Sequence, residues 1–142
     1  MKKILLACLS LSLLSFSANA APVAKPIKIK NVEVGSYTGV DVETGDVHAQ
    51  LVIRADKTLN FKVQTPDFEM PEPGCEGTYD IQGNNFTSHL NCPLSILPEV
   101  SVNIDITNIT PESVRSAQGA LVPVVIDALG SDPMMVRLKI VE

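Results

Sequence analysis

Histidine occurs only twice in these 142 residues, cysteine three times, and tryptophan not at all. These shortages narrow the chemistry before any pattern is read. His48 and His89 leave little material for general acid–base catalysis. Each sits on the polar phase of an alternating segment, beside Gln50 and Asn91, where an exposed strand residue belongs. No strand–turn–helix nucleophile elbow is present. A zinc site needs closely spaced nitrogen and sulfur ligands, which Cys75, Cys92 and two histidines do not supply. The inventory predicts no enzyme and no cofactor.

Long apolar runs are equally scarce. The one run of note, Ile4 to Leu14, is broken by serines and falls short of the roughly 20 residues a transmembrane helix needs. It follows Met1-Lys2-Lys3 and precedes Ala18-Asn19-Ala20, the order of a bacterial cleavable secretion signal. Residues 1–20 are read as that signal, residues 21–26 as a flexible leader, and residues 27–142 as one domain. A competing reading takes Leu5-Leu6-Ala7-Cys8 as a lipoprotein box with Cys8 lipidated. Cleavage there would leave the greasy stretch Leu9 to Phe16 at the new N-terminus. The expected location is the periplasm or the exterior of a bacterial cell, with no transmembrane anchor.

Positive charge is in the minority, with 11 basic against 16 acidic residues and a formal net charge of −5. The balance becomes more negative once Lys2 and Lys3 leave with the signal. That sign argues against nucleic acid or anionic lipid as the main partner. Cys75 and Cys92 remain after Cys8 is removed, and an even pair in an oxidising compartment predicts a disulfide.

Period-two alternation fills the rest of the chain, and helical periodicity is nearly absent. Val47, Ala49, Leu51 and Ile53 alternate with polar or smaller neighbours, turn at Asp56-Lys57, and are answered by Leu59, Phe61 and Val63. That is a hairpin with one buried face. Val100, Val102, Ile104 and Ile106 form the cleanest strand; Val122, Val124 and Ile126 face Val136, Leu138 and Ile140 in a last pair. Glycines at 35 and 39 break Val32 to Val42 into one bent strand or two short ones. Gly35-Ser36-Tyr37 resembles the first-strand Gly-x-Trp of lipocalins, with tyrosine where tryptophan stands and the rest of that pattern missing; the resemblance implies a barrel. Thr110-Pro111 starts a short helix near residues 111–118, which Gly119 ends.

Turn chemistry and the cysteines agree on one register. Gly83-Asn84 suits a two-residue type II′ turn, which sets Ile81 opposite Phe86, Tyr79 opposite Ser88, Gly77 opposite Leu90 and Cys75 opposite Cys92. The flanking pair Gln82–Asn85 is hydrogen-bonded, so the cysteines fall at a non-hydrogen-bonded position, with Cα atoms about 4.5 Å apart. A disulfide accepts a separation of about 4.4–6.8 Å. The whole reads as an all-β antiparallel meander of seven or eight strands, closed into a small barrel in preference to a sandwich.

Two segments are candidate sites. Asp41, Glu43 and Asp46 crowd one turn and are candidate calcium ligands, against the ordinary reading of acidic residues in an exposed turn. Phe68 and Met70 sit among acids and prolines in Pro66 to Gly74, a stretch with no alternation. They are read as the apolar anchors of a recognition loop or as a plug over one end of the core. The expected function is a binding or inhibitor-like module for an unknown protein or small apolar ligand; the alternative is a structural envelope protein with no ligand. An open apolar cavity favours the small ligand, and a filled interior favours a protein.

Overall fold

The computed structural model describes residues 28–29, 32–93 and 95–142. The expected signal at 1–20, including Cys8, and the leader at 21–26 lie outside the described residues. Among the described residues no helix is long and apolar enough to cross a membrane.

Two short strands open the described chain: β1 (Lys28–Ile29) and β2 (Val32–Glu33) pair antiparallel. There follow β3 (Gly35–Asp41), β4 (His48–Ile53), β5 (Thr58–Thr65), β6 (Phe68–Glu69), β7 (Cys75–Gln82) and β8 (Asn85–Asn91). The last strands are β9 (Glu99–Asp105), β10 (Ala120–Ile126) and β11 (Met134–Val141). Strands β3, β4, β5, β7, β8, β9, β10 and β11 pair antiparallel in chain order, and β11 returns to β3. The result is a closed eight-stranded up-and-down barrel, with β6 as an added strand on β5. Closure leaves no long sheet edge exposed.

The alternating apolar positions line the interior as expected. Leu51, Ile53, Leu59 and Phe61 are buried, with Ile53 opposite Leu59 and Leu51 opposite Phe61. Across the barrel, Val102, Ile104, Val122 and Val124 close the same core. Tyr79 and Phe86 stack at 5.0 Å between ring centroids, and the Tyr79 hydroxyl donates to the Arg54 carbonyl at 3.0 Å.

The β7–β8 hairpin takes the expected register, with Ile81 opposite Phe86 and Tyr79 opposite Ser88. Gly83 turns it at φ +60°, while Asn84 keeps a negative φ, as a type II′ turn requires. Cys75 and Cys92 are bonded, with Cα atoms 4.2 Å apart.

The helix is shorter than expected. Helix α1 covers Pro111–Arg115, and Ser116 is already extended. Its hydroxyl donates to the Ser113 carbonyl and accepts from the Gly119 amide, so a side chain completes the turn that a second helical turn would have made. Thr110 and Ser113 form a reciprocal capping box at the start. The β9–β10 connection containing α1 sends Ile106, Ile109 and Val114 into the core at that end of the barrel.

The proline-rich stretch also departs from a plain loop. Pro66-Asp67 turns the chain so that Phe68 and Glu69 pair back onto Thr65 and Gln64, where β7 does not reach. Gly74, at φ +85°, then admits the chain to β7; a Cβ there would lie 2.7 Å from the Phe61 carbonyl oxygen.

Candidate functional site

The antiparallel order places four connections at one end of the barrel: 42–47, 66–74, 92–98 and 127–133. Each is tied to the scaffold by its own sequence. In the first, the Asp41 carboxylate accepts from the Glu43 and Thr44 amides and from the Thr44 hydroxyl at 2.6 Å. Those hydrogen bonds, the Thr44 hydroxyl foremost, hold its pKa below the usual carboxylate range. The Val42 amide then donates to the Met135 carbonyl at 2.9 Å, fastening this loop to β11.

The second and third connections are joined by the disulfide. The Cys92 amide donates to the Pro98 carbonyl at 2.9 Å, and the Ser95 hydroxyl accepts from the Leu97 amide at 3.1 Å. In the fourth, Asp127 accepts from the Ser101 amide at 2.8 Å, which anchors the 3-10 turn Asp127–Leu129 to β9.

On these tethered loops apolar side chains face solvent. Ile96 is 86% exposed, Val42 41% and Leu129 39%, and they come from three different connections at the same end. Phe68, in the remaining connection, is half-buried and packs against the core. The interior beneath offers a cavity of about 30 Å³, lined by residues including Gly39, Ala49 and Met134. That is far below the several hundred Å³ of a typical ligand pocket.

The sequence-predicted residues fall unevenly here. Met70 is buried, and its sulfur lies 3.1 Å from the Cys75 sulfur, so it is a core residue under the loop and not a presented anchor. Phe68 alone keeps a partly open position. Cys75 and Cys92 are structural. Asp41 is buried with its oxygens engaged by the turn, while Glu43 and Asp46 are exposed. Among the described residues no three His, Cys, Asp or Glu side chains converge as a metal site requires. His48 and His89 are both exposed, on β4 and β8; the His89 Nδ1 lies 3.5 Å from the Ser101 hydroxyl.

Reading the sequence missed Val42, Ile96 and Leu129. Ile96 had a usable signal: an apolar residue in a run bounded by Pro93 and Pro98, with no alternation to bury it. Val42 and Leu129 had none, because each merely extends the strand or turn that precedes it.

No protein-family model, no curated protein and no solved structure matches this chain.

Proposed function

We propose that this protein is an exported, disulfide-stapled β-barrel that binds another protein through the four loops at its disulfide end. The observation that carries the reading is the placement of Val42, Ile96 and Leu129 on three separate, anchored connections at one end of the barrel. Solvent-facing apolar side chains on loops held by a rigid scaffold are how binding sites are commonly built. The filled interior supports a protein surface over a small apolar ligand as the partner. Export is supported by the lysine-led apolar run with its Ala18-Asn19-Ala20 site and by the disulfide. An inhibitor, which inserts such loops into another protein's cleft, falls within this class. A non-catalytic role is supported by the separation of His48 and His89 on strands β4 and β8.

The test is capture from a bacterial envelope extract by the mature protein and by Ile96→Ser/Leu129→Ser. Both positions are exposed, so the variant is expected to melt within a few degrees of the parent while losing the captured protein. Capture that survives the double substitution, or no capture by either form, removes the reading.

A further inference from the structure

Arg54, Lys57, Lys62 and Arg115 each stand within ion-pair distance of a carboxylate. Arg137 and Lys139 have no such partner among the described residues. They are neighbours on the outer face of β11, at alternate positions, and both are exposed. Arg137 stands opposite Val40 and Lys139 opposite Thr38 on β3. Together with Ala117 and Gln118 of the β9–β10 connection these residues line a groove of about 530 Å³.

The surroundings sharpen the charge. The outward positions of β3 are Ser36, Thr38 and Val40, and those of β10 are Leu121, Pro123 and Val125, with no carboxylate among them. On β4 the outward positions are His48, Gln50 and Val52. The outward acids lie on other strands, Glu76 and Asp80 on β7 across the barrel and Glu99 and Asp105 on β9 beyond β10. In a chain of net charge −5, Arg137 and Lys139 thus stand side by side among strands whose outward rows bear no acid.

We propose that this groove docks an acidic, extended segment of a partner protein, at a surface separate from the loop end. Charge complementarity selects an anionic occupant, and the spacing selects its form. Alternate residues on a strand are about 6.8 Å apart, the repeat at which an extended peptide presents its own alternate side chains. Two carboxylates at alternate positions therefore match Arg137 and Lys139. Val141, 53% exposed, continues the β11 row at one end and Met135 at the other, so the segment carries apolar residues beyond the acids. Thr38 and Gln118 add uncharged hydrogen-bond donors. Nucleic acid and anionic membranes need more than two cations, on the order of four to ten, against an overall negative protein.

The experiment follows amide chemical shifts of the isotope-labelled mature protein on titration with the peptide Leu-Ser-Glu-Ser-Glu-Ser-Leu. Nuclear magnetic resonance registers the weak affinity that a short, salt-sensitive segment has. Shifts are expected at Thr38, Val40, Gln118, Arg137 and Lys139, with affinity falling at least fivefold in Arg137→Gln/Lys139→Gln. The same peptide with glutamine for glutamate is expected to lose binding to a like degree. Charge reversal in Arg137→Glu/Lys139→Glu is expected to transfer preference to the peptide with lysines in place of glutamates, which a merely misfolded variant would not do. Ile96→Ser/Leu129→Ser is expected to bind the acidic peptide unchanged, so this site and the loop site fail independently. Shifts elsewhere, affinity indifferent to either charge change, or binding to phosphatidylglycerol vesicles in preference to the peptide would overturn the proposal.

Discussion

Arg115, on the five-residue helix α1, reaches Glu33 across 82 positions of sequence and holds its buried carboxylate at 2.6 Å. The same guanidinium donates from Nε to Glu142 at 3.0 Å, so one side chain ties both the first and the last described segments to the β9–β10 connection. Removing one partner of such a pair leaves a buried charge uncompensated, whereas replacing both removes the charge along with its need for a partner. Arg115→Met is therefore expected to lower the melting temperature, and Arg115→Met/Glu33→Met is expected to recover part of the loss. A double variant that melts below the single one contradicts this account.

Next to that pair, burial pushes the Tyr37 phenol from its ordinary value of 10.0 up to about 12, against the opposing effect of its hydrogen bond with the Glu33 backbone. The folded chain keeps this proton at a pH where the unfolded chain has released it. The stabilisation is thus complete below about pH 10 and is lost as pH rises through the folded value. The loss attributable to Tyr37 is about 1 kcal/mol by about pH 11. Urea midpoints at about pH 8 and pH 11 check it. The parent is expected to lose more between the two conditions than Tyr37→Phe, and equal losses would rule out Tyr37 as the source. Tyr79, also raised by burial, leaves a smaller residual slope in both.

The barrel was legible where side-chain period and turn chemistry coincide. The β7–β8 register followed from Gly83-Asn84 and the cysteine positions, and the β4–β5 pairing from two alternating runs. Closure was legible only as the simplest arrangement of hairpins, since the β11–β3 pairing joins the two ends of the barrel and has no local signal. The end of α1 was misplaced because a serine hydroxyl, Ser116, stopped it before Gly119. Surface sites were the least legible. Whether Ile96 or Arg137 has a partner depends on residues distant in sequence, which no periodicity reports.

The Cys75–Cys92 bridge closes a loop of about 16 residues, and the chain-entropy estimate for such a loop is about 3 kcal/mol. The Gly83-Asn84 turn and the β7–β8 ladder already restrict the same segment, so Cys75→Ala/Cys92→Ala is expected to lose no more than this. Denaturant midpoints measure the loss. Thiol labelling of the unfolded parent without reductant is expected to find no free sulfhydryl; quantitative labelling of both cysteines would refute the bridge.

Phe68 and Met70 are two residues apart and have different work. Met70 is 2% exposed, its amide donates to the Val63 carbonyl at 3.1 Å, and its sulfur lies against Cys75. Truncating it opens a cavity under the loop, and such losses run at about 2–5 kcal/mol. Phe68 is only half-buried, so Phe68→Ala removes contacts from one side of the ring and leaves no enclosed void. The expected order is a large drop in melting temperature for Met70→Ala and a markedly smaller one for Phe68→Ala. The Met70→Leu exchange, which keeps the volume, is expected to cost less than about 1.5 kcal/mol. If Phe68→Ala proves as damaging as Met70→Ala, the ring is a plug for the barrel end, and the binding surface is confined to Val42, Ile96 and Leu129.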